Sequence, residues 1–126
     1  MAIEGTPDEA RALFVQAWEA RTDDYDACIA AHFVARHQTT PEETLRWNVL
    51  ALRHAEAVTD GRVTEFMASL YLNLGDAYAR VDDRVAARQA AGKARDHLAS
   101  LPSGGYREFV ALGIDRLEGR LHSPSR

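Results

Sequence analysis

A single cysteine, Cys28, stands in 126 residues, so no internal disulfide can form and a reduced, cytoplasmic setting is expected. Lysine is nearly missing: of 15 basic residues only Lys93 is not arginine, a skew that, with the abundant alanine, we read as the codon bias of a GC-rich bacterial genome. Positive charge is in deficit, with 15 basic against 19 acidic side chains and a net charge of −4. That excludes the basic face of a phosphate-backbone binder, so no nucleic-acid partner is expected. Apolar runs never approach the ~20 residues of a membrane span, and no membrane association is expected either. Met1 to Asp8 carries acid and no apolar stretch, which predicts no signal peptide. Also missing are a Gly-rich phosphate loop, a His-Glu-x-x-His pair, a Gly-x-Ser-x-Gly elbow and a dinucleotide fingerprint, which leaves the commonest enzyme classes unsupported. A chain this short holds one ordinary core, so a single domain over residues 1–126 is expected, ordered from 6 to 121 with a frayed tail over 122–126.

What is present is helical. Apolar alternation never persists, and Gly and Pro fall where helices should stop. This predicts an all-α chain of about six antiparallel helices joined as hairpins. Thr6, Pro7 and Glu9 form a capping box that opens a helix to about Arg21. Asp23 or Asp24 caps a second helix to about His37, whose apolar side takes Tyr25, Cys28, Ile29, His32 and Val34 or Ala35. Thr40, Pro41 and Glu43 repeat the capping box, and this third helix should reach about Thr59 before Asp60-Gly61 stops it. A fourth helix, about Arg62 to Arg80, has an apolar stripe too wide for one neighbour and should be central. The fifth, about Asp83 to Ser100, presents Ala87, Ala91, Ala94 and Leu98, with close packing offsetting the helix penalty of Gly92. The sixth puts Tyr106, Val110, Gly113, Leu117 and Leu121 on one stripe. It is expected to cap the fifth helix in a monomer, a homodimer seam along Tyr106–Leu121 being the alternative. The acidic pairs Asp23-Asp24 and Asp82-Asp83 read as helix caps.

The segment Tyr71-Leu72-Asn73-Leu74-Gly75-Asp76-Ala77-Tyr78, followed by Ala87, Ala91 and Ala94, resembles the tetratricopeptide (TPR) consensus of an aromatic, Leu-Gly, a second aromatic and later small residues. The likeness spans about Ala68 to Leu101, with Pro102 near the consensus's closing proline. Asp24-Tyr25, Cys28, His32 and Ala35 are similar to the start of a repeat's second helix. In that register Gln16 takes the glycine position, and its distance from Gly75 is not a multiple of the ~34-residue period, so the two stretches do not belong to one regular array. The resemblance implies a short TPR-like array of hairpins, with Gly75 at a close crossing and Ala87 where the returning helix presses on the first. It implies a scaffold for partners rather than an activity. TPR domains that clamp a C-terminal carboxylate do so with Lys and Asn; Leu72, Asp76 and Arg80 stand at the corresponding positions here, so that clamp is not expected.

Cys28 and His32 lie four apart on one helix face, a spacing that lets a thiolate and an imidazole share a metal or a proton. His54, on the next helix beside Trp47, Leu50 and Val58, is the third candidate. The plainer alternative makes Cys28 a small buried residue and His32 an interior or groove imidazole. Arg36, His37 and Gln38, with Thr39 and Thr40, either hold a small anion or simply cap two helix ends. Trp47, Asn48, Tyr71, Asn73 and Tyr78 suit either a groove or a core. Three functions remain open. The first is a non-enzymatic module that binds a protein or peptide partner without a cofactor, through a groove or helix face carrying His32, Arg36, Trp47, His54, Tyr71 and Tyr78. The second is a small enzyme or ligand- or metal-binding protein with its site at Cys28, His32 and His54. A self-associating structural protein, joined along the last stripe, is a third.

Overall fold

The computed structural model describes residues 7–122, which form α1 (Pro7–Glu19), α2 (Asp24–Ala35), α3 (Pro41–Ala57), α4 (Met67–Arg80), α5 (Arg84–Leu98) and α6 (Gly105–His122). A 3-10 turn, Thr64–Phe66, leads into α4, and no strand occurs among the described residues. The protein is all-α. The expected cap at Thr6 and tail residues 123–126 lie outside the described residues, whereas His122, expected to fray, belongs to α6. The chain divides into two units, α1 to α3 up to Arg62 and α4 to α6 from Val63 onward.

In the first unit the caps fall where the sequence puts them. The Asp23 carboxylate accepts from the Asp26 N–H at 2.8 Å, and Thr40 Oγ1 accepts from the Glu43 N–H at 3.1 Å. Helix α2 ends at Ala35, short of His37, because the chain turns there and His37 Nδ1 and Gln38 Nε2 fold back onto the Phe33 and Val34 carbonyls, each at 2.9 Å. Its buried residues are Ala27, Cys28, Ala30, Ala31, Val34 and Ala35, while Tyr25, Ile29 and His32 are only half-buried. The expected apolar side is therefore corrected: α2 touches both α1 and α3, and small side chains are what a helix needs to admit two close neighbours. Helix α1 buries no described residue completely and is held by rings instead. Phe14 stacks on Phe33 with centroids 4.9 Å apart and on His37 at 5.1 Å; Trp18 lies edge-on to Trp47 at 5.2 Å and to His54 at 5.4 Å. Helix α3 stops at Ala57, two residues early, where Val58 turns extended.

In the second unit α4 begins later than Arg62, after the 3-10 turn. Gly75 marks its tightest contact: a Cβ there would meet Leu117 Cδ2 at 2.7 Å, Ala90 Cβ at 3.3 Å and the Ala87 carbonyl oxygen at 3.4 Å. Along α5, Ala87, Ala90, Ala91 and Ala94 are buried. Gly92 faces away, with nothing within 4 Å of a Cβ, so the close packing expected there is found at Gly75 instead. Two apolar clusters fill the unit. One joins Ala68, Ala94, Leu101, Val110 and Ile114; the other joins Ala87, Ala91, Leu117 and Leu121. The stripe considered as a dimer seam is thus consumed inside the unit, with Val110, Leu117 and Leu121 buried and Tyr106 left outside. The first turn of α5 closes the far end of α6, as the Arg84 and Arg88 guanidinium groups donate to the Leu121 carbonyl. Cations at a helix C-terminus both satisfy free carbonyls and oppose the dipole.

Candidate functional site

A concavity of the second unit lies between α4 and α6. Ser69 hydrogen-bonds Tyr106, Leu72 covers Gly113, and Asp76 pairs with Arg120. These contacts ascend together along both helices, so α4 and α6 run in the same direction, with α5 behind them. The result is a groove of about 700 Å3 lined by Leu72, Asn73, Asp76, Gly113, Arg116, Gly119 and Arg120. Its geometry depends on one missing side chain, because a Cβ on Gly113 would stand 2.7 Å from Leu72 Cδ2. Its charge is set at one end. Asp76 is shared between Arg80 Nε at 3.3 Å and Arg120 Nη2 at 2.7 Å, whereas exposed Arg116 has no side-chain partner among the described residues. Apolar floor, free amide and guanidinium rim together suit a segment of chain that offers apolar side chains and acceptor groups.

The residues singled out in the first unit lie among α1, α2 and α3. Cys28 is buried, and burial pushes its thiol up from 9.0 to about 11, the wrong direction for a nucleophile. His32 is pushed below its ordinary 6.5, first by burial and then by the nearby Arg36 charge, and its Nδ1 is enclosed without a hydrogen-bond partner. It is a neutral imidazole, edge-on to Phe33 at 5.0 Å. His54 is engaged elsewhere: its Nδ1 meets the Asp24 carboxylate at 2.8 Å, at a cleft of about 350 Å3 that Glu19, Arg21, Thr22 and Asp23 also line. Among the described residues no three His, Cys, Asp or Glu side chains gather as a metal would require, so Cys28, His32 and His54 do not form a three-ligand set.

The other candidates divide between packing and capping. Trp47 takes the edge of Trp18 and carries the Arg46 guanidinium at 5.2 Å over its ring. Tyr71 stacks on His97 at 5.3 Å, and Tyr78 packs against the cluster of Ala87, Ala91, Leu117 and Leu121. Buried Asn48 donates to the Thr44 carbonyl at 2.9 Å. Arg36 is exposed beside the bonds that end α2, and Thr40 caps α3. One acid of each pair, Asp23 and Asp83, is an N-cap; Asp24 serves His54, and Asp82 takes a left-handed φ of 65°. Of the groove residues, Asn73 is a sequence candidate, and Leu72 and Asp76 enter only as clamp positions. Gly113 enters only as a member of the α6 stripe, and Arg116, Gly119 and Arg120 go unnoticed, although the i, i+3 and i+4 spacing along α6 places them on one flank with it. Comparison of the chain with protein-family models, curated proteins and solved structures finds no match in any of the three.

Proposed function

We propose that this chain is a non-enzymatic interaction module that takes a peptide, or an exposed segment of a protein partner, in the groove between α4 and α6. The observation that carries this reading is the groove itself: an apolar strip of Leu72, Gly113 and Gly119 bordered by Asn73 and Arg116, whose side chains have no partner among the described residues. Polar groups without protein partners beside an open apolar trough can pair with a bound segment, and apolar burial with a few directional contacts is the usual basis of such recognition. The helical-hairpin resemblance around Gly75 agrees with this role, since folds of that kind serve as scaffolds. The partnerless neutral His32 and the raised Cys28 thiol favour packing over chemistry in the first unit.

Panning a display library of random 12-residue peptides on the protein tests the proposal. Selected peptides should shift the amide resonances of Leu72, Gly113, Arg116 and Gly119. They should lose about tenfold or more in affinity when Asn73→Trp fills the trough, a loss of ~1.4 kcal/mol. Peptides that bind Asn73→Trp as well as the parent, or a library from which nothing is enriched, would refute it.

A further inference from the structure

Helix α6 has a second apolar face, separate from the one it buries. Val110, Ile114, Leu117 and Leu121 point into the unit, yet on the opposite side Phe109 is 74% exposed and Leu112 is 47% exposed. Phe109 and Leu112 are three apart, so they adjoin as one small apolar spot on the helix surface. The charges around it are ordered. Glu108, Leu112 and Arg116 are spaced four apart, so they form one straight stripe with an acid before the leucine and a base after it. Neither the Glu108 nor the Arg116 side chain has a partner among the described residues, although Asp115 and Glu118, one flank away, are both tied to Arg95 at 2.8 and 2.7 Å. Gly105 and Gly119 end the same face, and a Cβ on either would meet nothing within 4 Å.

This pattern is its own complement. A two-fold axis through Leu112, perpendicular to the helix, would lay α6 antiparallel to α6 of a second copy. It would set Leu112 against its counterpart, bring Glu108 opposite the second copy's Arg116 twice over, and drop Phe109 onto the second copy's Leu112 and the stem of its Arg116. The glycines at the two ends would then lie opposite each other, where no side chain holds the helices apart. A foreign helix would need the same order of charges reversed; a second copy has it by symmetry. We propose that the exposed face Glu108–Phe109–Leu112–Arg116 is a homodimer interface in which α6 pairs antiparallel with α6 of a second copy. This lies beyond the groove reading: Glu108, Phe109 and Leu112 do not line the groove, while Arg116 stands on the ridge between the groove and this face. One helix face is a small interface, so the dimer belongs at the weak end of the range, below about 1,200 Å2 of total buried area.

Sedimentation equilibrium of the full chain, from about 1 µM to about 1 mM, tests it at low and high salt, since screening should weaken the pairs. A monomer–dimer equilibrium is expected. Leu112→Asp should abolish it while helical circular dichroism stays unchanged, because the residue is about half exposed and belongs to neither buried cluster. Glu108→Arg alone and Arg116→Glu alone should each weaken the dimer by about tenfold, as two like-charge contacts replace two pairs. The double reversal Glu108→Arg/Arg116→Glu should restore it to within about threefold of the parent, which no merely structural role would do. A parent that stays monomeric at about 1 mM, a dimer that survives Leu112→Asp, or a double reversal no better than the single changes would overturn the proposal. The groove reading is judged separately, since Asn73→Trp should leave dimerisation unchanged and Leu112→Asp should leave peptide binding unchanged.

Discussion

Alanine at Gly75, Gly113 and Gly92 inserts the same methyl group into three surroundings of graded tightness, and the second unit should respond in that order. Each change gains about 1 kcal/mol of helix propensity, so the differences isolate packing. At Gly92 the new Cβ meets nothing within 4 Å, and the full gain of ~1 kcal/mol should appear. At Gly113 the only close atom is Leu72 Cδ2 at 2.7 Å, the tip of a side chain that can rotate away, so gain and strain should nearly cancel. At Gly75 the tip of Leu117 is again 2.7 Å away, but Ala90 Cβ at 3.3 Å and the Ala87 oxygen at 3.4 Å are fixed to the α5 backbone and cannot rotate clear. Overpacking of this sort costs about 1–3 kcal/mol, for a net loss of about 0–2 kcal/mol. Gly75→Leu should do worse still. In urea, with a slope of about 1–3 kcal/mol per molar, midpoints should shift by several tenths molar in opposite directions for Gly92→Ala and Gly75→Ala. Equal stabilisation by both would refute the close crossing of α4 and α5.

Three further outcomes follow from particular groups. With its thiol pushed up to about 11 from 9.0, Cys28 should react with iodoacetamide at pH 8 about 100-fold more slowly than a free cysteine, from ionisation alone. Rapid labelling of the folded chain at pH 6, abolished by His32→Ala, would reverse the assignment of Cys28 as inert. His32 is held below 6.5, so the unfolded chain takes the proton first; the stability this residue contributes is present above pH 6.5 and is lost as pH falls. The parent should therefore lose stability relative to His32→Gln between pH 7.5 and 5, and a constant difference across that range would contradict the buried, neutral imidazole. Asp83→Ala should cost about 1 kcal/mol by denaturant titration, because the carboxylate accepts from the Ala86 N–H at 3.2 Å, whereas Asp83→Asn should be nearly silent.

Local chemistry was legible in the amino-acid sequence because it acts over three or four residues. Thr40 and Asp23 cap helices by bonding an N–H three positions on, and the same rule located α2, α3 and α5 without any knowledge of their neighbours. Helical periodicity likewise marked Ala87, Ala91 and Ala94 as a contact face, and the resemblance to the TPR pattern implied a close approach at Gly75. Partner choice across helices was not legible, since it depends on which elements meet. Nothing near His54 in sequence announces Asp24, thirty residues away, and nothing near Cys28 tells a buried thiol from a ligand until its surroundings are known. The groove is the clearest instance. Leu72 and Gly113 make it only because two parallel helices bring a leucine tip against a missing side chain. The exposed face of α6 was decided in the same way: periodicity marked the stripe of Tyr106, Val110, Gly113, Leu117 and Leu121, and only packing against α4 and α5 shows that Val110, Leu117 and Leu121 are covered while Phe109 and Leu112 remain in water.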